Sequence, residues 1–81
     1  MHGRTELRLP NLDLPGTPVT VCSWHANVGQ RVVAGDRLVE ILAGDATIDL
    51  AAPASGVLVE RLAEIDAPLA AGQILAVIDA D

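Results

Sequence analysis

The sequence predicts an all-β fold, a small flattened barrel or sandwich of two short antiparallel sheets related by a quasi-twofold axis. Three observations predict it. Apolar residues recur with a period of two, turn-forming residues separate short runs, and one pattern of sixteen residues occurs twice. No segment shows the sustained 3.6-residue spacing of an amphipathic helix.

Six segments are predicted to be strands. In order they are TELRL (5–9), PVTVC (18–22), RLVEI (37–41), ATIDL (46–50), VLVERL (57–62) and ILAVI (74–78). In the first, Leu7 and Leu9 alternate with Glu6 and Arg8, so that one face of the strand can be buried. The turn signals between the strands are Pro15-Gly16, Gly29, Gly35-Asp36, Gly44-Asp45, Ser55-Gly56 and Ala71-Gly72. Short strands separated in this way are typical of a sandwich or barrel.

The internal repeat relates residues 26–41 to 63–78 with an offset of 37. The matched pairs include Ala26 with Ala63, Val32 with Leu69, Leu38 with Leu75 and Ile41 with Ile78. Two similar halves are predicted to bury their apolar faces against each other, because neither can do so alone. The Gly44-Asp45 hairpin would join the halves and lie at the opposite end of the domain from the chain termini.

Length and charge limit the classes of function. The chain of 81 residues fits one domain, 1–81, with a core at about 5–79. Its net charge of −6 opposes binding to nucleic acid or to an anionic membrane. No secretory signal is recognised at the start of the chain. The single cysteine, Cys22, cannot form an internal disulfide, and we expect a cytoplasmic protein.

Several motifs together resemble the biotinyl/lipoyl attachment domains, most closely the lipoyl domains of 2-oxoacid dehydrogenase acyltransferases. They are RLPNL (8–12), VTVCSWHANVGQRVVAGDRLVEI (19–41), ATIDLAAPASGVL (46–58) and APLAAGQILAVI (67–78). The resemblance extends over about residues 5–79 and implies a lipoyl-domain-like barrel-sandwich hybrid. It also implies that partner enzymes contact the hairpin tip at 43–46 and the loop at 11–18.

The sequence departs from this family at the attachment position. Lipoyl domains carry Asp-Lys-Ala at the hairpin tip and biotinyl domains carry Met-Lys-Met, whereas the matching residues here are Gly44, Asp45 and Ala46. All five basic residues are arginine, so the chain has no lysine. Amide linkage to lipoic acid or biotin needs a nucleophilic amine, which a carboxylate cannot supply. We therefore expect no lipoyl or biotinyl cofactor.

Asp45 has three interpretations: a turn residue, a charged recognition group, or the site of an unusual modification. Trp24 is interpreted as a packing residue or as a partner contact. The candidates for partner binding are Asp45, Gly44, Ala46, Asn11, Asp13 and Trp24.

We expect neither a metal site nor catalysis. His2 and His25 have no second histidine or cysteine at a useful spacing on a strand. Alternation along one strand predicts that Cys22 and Trp24 share a face and that His25 lies on the other. Cys22 and His25 could then not act as nucleophile and base. Four acidic residues, Asp36, Glu40, Asp45 and Asp49, are expected to cluster toward one end or edge.

The function predicted from sequence is that of a non-lipoylated, lipoyl-like module that binds a protein or acts as a scaffold, and not of an enzyme. By resemblance, its partner would be a component of a 2-oxoacid dehydrogenase or a lipoyl-handling enzyme. Two alternatives remain open. One is a structural or self-assembling domain that forms a homo-oligomer, and the other is a carrier with its attachment at Cys22, at a hydroxyl or at Asp45.

Overall fold

Seven β-strands make up the regular structure of the part of the chain that is described. The computed structural model describes residues 3–81. The strands are β1 (Gly3–Arg8), β2 (Val19–Trp24), β3 (Arg31–Val32), β4 (Arg37–Ala43), β5 (Ala46–Ala51), β6 (Gly56–Arg61) and β7 (Ile74–Ala80). Over these residues there is no helix long and apolar enough to cross a membrane.

The strands form two antiparallel sheets, as the sequence predicts. One sheet has four strands in the order β1-β7-β6-β3, and the other has three in the order β2-β4-β5. They stay separate, so the domain is a sandwich rather than a closed barrel. The sequence did not predict β3, which has only two residues and pairs with β6 through Arg31 and Val57.

The core lies between the sheets. The largest fully buried side chains are Leu38, Ile41, Leu58, Leu75, Ile78, Val21 and Val39. Burying a side chain of this size contributes roughly 1.5–3 kcal/mol relative to leaving it exposed. No polar or charged side chain within 3–81 is buried, so this core depends on apolar packing alone.

The internal repeat is confirmed in the hydrogen bonds. The His25 amide donates to the Leu38 carbonyl, and 37 residues later the Leu62 amide donates to the Leu75 carbonyl, at 2.9 and 2.8 Å. The pairing of Thr20 with Pro68 has its counterpart in that of Val57 with Arg31. Shifts in strand register also occur at equivalent places, between Val21 and Ser23 and between Leu58 and Glu60. The two halves therefore share local geometry as well as strand order.

The hairpin tip lies at the opposite end from Gly3 and Asp81 in a molecule that measures 41 × 19 × 18 Å. At one end, Ala43 pairs with Ala46 to close the hairpin. At the other, Gly3 pairs with Ala80, and the Asp81 amide donates to the Ser55 carbonyl. For the described residues, 3–81, the prediction that the hairpin lies apart from both ends of the chain is confirmed.

Candidate functional site

The hairpin tip (43–46) is a two-residue turn between β4 and β5. Gly44 has a φ of 61°, whereas Asp45 is not among the residues with positive φ. A positive φ at the first central residue alone is typical of a type II′ turn, in which glycine is favoured at that position. Asp45 is exposed. The turn therefore holds a carboxylate at the outermost point of this end.

The 9–18 loop packs beside the hairpin tip. The Gly44 amide donates to the Pro18 carbonyl at 3.2 Å, and the Thr17 amide donates to the Leu14 carbonyl at 3.1 Å. A Cβ atom added to Gly44 would lie 3.2 Å from Thr17 Cγ2. The absence of a side chain at Gly44 thus lets the loop approach the turn closely. The hydrogen bond from the Gly44 amide to the Pro18 carbonyl holds the two segments together.

Within this loop, Asn11 and Asp13 form a local turn. The Asp13 amide donates to Asn11 Oδ1 at 2.9 Å, and Asp13 has a φ of 58°. Asparagine and aspartate adopt such turns readily because their short side chains bond to nearby backbone. Both residues are exposed. The structure therefore places Asn11 and Asp13 on the same end of the domain as Asp45.

A groove of about 380 Å³, here called the tip groove, opens between the 9–18 loop and the start of β2. Its apolar lining includes Leu9, Leu12, Val19 and Leu69, and its polar lining includes Asn11, Asp13 and Thr17. Val19 pairs with Ala43 of the hairpin. The tip groove thus lies next to the hairpin tip, and the turn and the loop form one surface. This concavity was not predicted from the sequence.

Trp24 lies at the other end of β2, away from the hairpin tip. Its side chain is partly buried against the core, and its Nε1 donates to the Ala63 carbonyl at 2.9 Å. The Arg61 guanidinium lies 5.5 Å from the centre of its ring. These contacts agree with the packing interpretation of Trp24 and separate it from the other partner-binding candidates.

The predicted arrangement of Cys22, Trp24 and His25 is wrong. The register shift between Val21 and Ser23 places an extra residue, Cys22, in a bulge, and a bulge interrupts the alternation of side chains. Cys22 is exposed and Trp24 packs on the core. The Glu40 carboxylate raises the pKa of the Cys22 thiol and also lies close to His25, so Cys22 and His25 are on the same outer face of the three-stranded sheet.

The predicted acidic cluster is also only partly present. Glu40 and Asp49 are direct partners across β4 and β5. Asp45 lies at the hairpin tip, whereas Asp36 lies in the turn before β4, where its carbonyl accepts from the Ala52 amide at 2.7 Å. The four carboxylates are therefore distributed along the length of one sheet. His2 lies outside the described residues.

The lipoyl or biotinyl group that the resemblance implies does not fit this hairpin tip. The exposed side chain between Gly44 and Ala46 is the carboxylate of Asp45, and no lysine occurs in the 81 residues. An acyl group joined through an amide needs a side-chain amine at this point. No step through such a group can be derived for this chain.

Comparison with known proteins agrees with the fold and with the motifs. The Biotin_lipoyl family model, described as "Biotin-requiring enzyme", matches residues 5–78. The chain belongs to the biotin/lipoyl attachment domain family.

A curated relative is a component of a dehydrogenase complex. The chain is 29% identical over 76 residues to the dihydrolipoyllysine-residue succinyltransferase component of the 2-oxoglutarate dehydrogenase complex of Bartonella vinsonii subsp. berkhoffii. The match covers 94% of this chain and 18% of the relative. The domain is thus related to a dehydrogenase acyltransferase, and it corresponds to a small part of that protein.

Proposed function

We propose that this domain is a non-lipoylated member of its family that binds a protein partner through the hairpin tip and the 9–18 loop. One observation carries the proposal: the attachment position holds the exposed carboxylate of Asp45 in a chain without lysine. The domain keeps the shape of a carrier domain and presents a fixed negative charge where the acyl-carrying arm would be attached. It is non-catalytic in this proposal.

The structure of this end suits recognition of a protein. The bond from the Gly44 amide to the Pro18 carbonyl joins the turn to the loop, so little additional order has to be imposed when a partner binds. Asp13 and Asp45 are exposed carboxylates on this surface, and Leu14, with 47% of its surface exposed, adds an apolar contact. The net charge of −6 would favour encounters with a basic partner surface.

The name of the curated relative suggests the class of partner. It is a component of a 2-oxoglutarate dehydrogenase complex, so the partner proposed for this domain is another component of a 2-oxoacid dehydrogenase, or an enzyme that handles lipoyl groups. Such proteins would contact this domain through its hairpin tip and its 9–18 loop.

Affinity capture from native lysate tests the proposal. Wild type, Asp45→Arg and a matched charge reversal, Glu60→Arg, would be compared, with captured proteins identified by mass spectrometry. Glu60 is exposed on β6, away from the hairpin tip. The expected result is a dehydrogenase component or lipoyl-handling enzyme that binds wild type and Glu60→Arg but is lost with Asp45→Arg. Capture that is independent of Asp45, or self-association alone, would contradict it.

A gain-of-function variant tests the assignment of the attachment position separately. The double change Gly44→Asp and Asp45→Lys introduces the family's Asp-Lys-Ala sequence at 44–46. Incubation with lipoate ligase, lipoate and ATP should add one lipoyl mass to this variant and none to wild type. If the double variant folds, as judged by circular dichroism, yet gains no mass, Asp45 has been placed wrongly at the attachment position.

A further inference from the structure

The outer face of the three-stranded sheet brings together His25, Glu40 and Asp49. One imidazole nitrogen and two carboxylate oxygens from these side chains all lie within 4.8 Å of one another. Glu40 belongs to β4, Asp49 belongs to β5, and His25 directly follows β2. We propose that this cluster binds Zn²⁺ or a similar divalent transition-metal ion. The inference is independent of the function proposed for the hairpin tip.

The backbone of the sheet already holds the three side chains in place. Glu40 and Asp49 are register partners, and the His25 amide donates to the Leu38 carbonyl at 2.9 Å, which extends the pairing of β2 with β4. His25 Nε2 lies 3.1 Å from Asp49 Oδ1. Zinc–nitrogen and zinc–oxygen bonds of about 2.0–2.2 Å place two tetrahedral ligands about 3.3 Å apart. An ion could therefore replace the proton between His25 and Asp49 with small movements of these side chains.

The chemistry of the donors suits a borderline-soft divalent ion. Imidazole and carboxylate are both ligands of Zn²⁺, and three protein ligands leave a coordination position for water. The two carboxylates would balance the charge of the ion. The side chains of His25 and Asp49 are 30% and 32% exposed, so the ion can enter from solvent while the sheet shields part of the site.

Two neighbouring side chains bear on the affinity. Arg37 Nη1 lies 3.6 Å from Asp49 Oδ2, and it competes with a cation for that oxygen. The Arg37 side chain is 72% exposed, so it can move away with little loss of packing. Cys22 is exposed on the same face near Glu40, but its sulfur is not among the donor atoms that lie within 4.8 Å of one another.

The other half of the domain shows that the fold does not require these polar side chains. By the 37-residue offset, His25 and Glu40 correspond to Leu62 and Val77. Val77 pairs with Glu6 of β1 in the same way that Glu40, its counterpart in the repeat, pairs with Asp49 of β5. The same backbone positions thus accept apolar side chains in the four-stranded sheet. The collection of donors is particular to one face, and binding of a metal ion would give it a chemical role beyond the hydrogen bond between His25 and Asp49.

Calorimetric titration with ZnCl₂ tests the site in the full chain after treatment with EDTA and buffer exchange. All proteins carry His2→Gln, because His2 offers an imidazole of its own. This parent is compared with His25→Gln, Asp49→Asn and the control Glu60→Gln, which removes an exposed carboxylate from the other sheet. We expect one ion per chain in the parent and in the control. Affinity should fall about tenfold or more in His25→Gln and Asp49→Asn.

Two further readouts identify the ligands. Zn²⁺ should raise the thermal midpoint of the parent and of Glu60→Gln but not that of Asp49→Asn, since an ion that binds only the folded state stabilises it. With Co²⁺ as a probe, a sulfur-to-cobalt charge-transfer band that is lost in Cys22→Ser would show that the thiol is the fourth ligand. Without that band, His25, Glu40 and Asp49 hold the ion with water.

Three results would overturn the proposal. The first is the absence of saturable Zn²⁺ binding in the parent at millimolar concentration, which leaves His25 and Asp49 as a hydrogen-bonded pair only. The second is equal affinity in the parent and in a folded His25→Gln variant. The third is an equal loss of affinity in Glu60→Gln, which would show diffuse attraction of cations to an acidic surface.

Discussion

The two halves of this domain share a backbone plan but differ in what they present to solvent. In the first half, the Gly44-Asp45 turn joins β4 directly to β5. In the second, β7 pairs with β1, which comes from the opposite terminus of the sequence. Within residues 3–81, only one end of the domain therefore carries a hairpin tip. The repeated local pattern forms the two sheets of the sandwich. The order in which the chain connects the strands determines which end of the domain has the hairpin turn.

The two outer faces differ in a similar way. The three-stranded sheet carries His25, Glu40 and Asp49 close together, whereas Leu62 and Val77 take the places of His25 and Glu40 in the four-stranded sheet. Leu62 is 49% exposed and Val77 only 7% exposed, so the four-stranded sheet carries apolar side chains at the positions where the three-stranded sheet carries polar ones. The halves therefore keep equivalent cores while their outer faces carry different side chains.

The largest expected effect tests whether the halves are equivalent in the core. Leu38 and Leu75 are related by the repeat, and both are fully buried. Leu38→Ala and Leu75→Ala should each lower the free energy of unfolding by about 2–5 kcal/mol, and the two losses should be similar. Urea denaturation measures both, with Leu62→Ala, at a site 49% exposed, as the control. A large loss for only one of them would show that the halves pack differently.

A second change tests a position where the halves are not equivalent. Gly56 corresponds to Val19 in the repeat, yet a Cβ atom at Gly56 would lie 2.2 Å from the Asp79 carbonyl oxygen. Gly56→Ala should force β6 and β7 apart and lower the free energy of unfolding by about 2 kcal/mol or more. Gly3→Ala is the matched control, because nothing lies within 4 Å of that position. Thermal unfolding that is equal for the two variants would contradict this close approach.

A smaller effect is expected where the two halves meet. Trp24 and Arg61 occupy equivalent positions in the repeat, and the guanidinium lies 5.5 Å from the centre of the ring. Arg61→Met should lower the free energy of unfolding by about 0.5–1 kcal/mol through loss of the cation–π contact, and it should shift the fluorescence of Trp24. Glu60→Gln controls for the loss of a neighbouring charge. If the free energy of unfolding and the fluorescence of Trp24 stay unchanged, the cation–π contact contributes nothing to stability.

The smallest effect concerns the reactivity of the Cys22 thiol. In the 37-residue repeat, Cys22 corresponds to Val59. A hydrogen bond with Glu40 raises the pKa of the Cys22 thiol, and the negative charges of Glu40 and Asp66 add to it. Glu40→Gln should lower this pKa and increase the thiolate fraction at a given pH, so iodoacetamide should react faster. The pH–rate profile should move to lower pH, with Asp66→Asn giving a smaller shift. A profile that stays in place or moves to higher pH would contradict the assignment.

Much of the fold follows from local pattern. Alternation such as that of Leu7 and Leu9 indicates which face of a strand is buried, and Gly44-Asp45 identifies the tight hairpin. Because a two-residue turn sets the register, the pairing of Glu40 with Asp49 can be counted outward from Ala43 and Ala46. The pair was absent from the prediction because the strands were assigned without their register. The short β3 strand carries no such pattern, since only its pairing with β6 defines it.

The face on which Cys22 lies could not be predicted in the same way. The alternation rule assumes a regular strand, whereas the register of β2 shifts against β4 at this residue. A bulge arises from the pairing of two strands and leaves no clear mark in either one. For the same reason, the position of His25 beside Glu40 and Asp49 appeared only in the structure.

By itself, the sequence determined that the domain is built from two similar β-halves, that a tight turn joins them, and that this turn carries Asp45 where an attachment lysine would be expected. These features depend on residue type and on spacing along the chain. The tertiary structure alone decided that the 9–18 loop packs on Gly44, that Trp24 lies away from the hairpin tip, and that His25, Glu40 and Asp49 converge. Those contacts join residues distant along the chain, and their geometry depends on strand register, bulges and the packing of one sheet on the other.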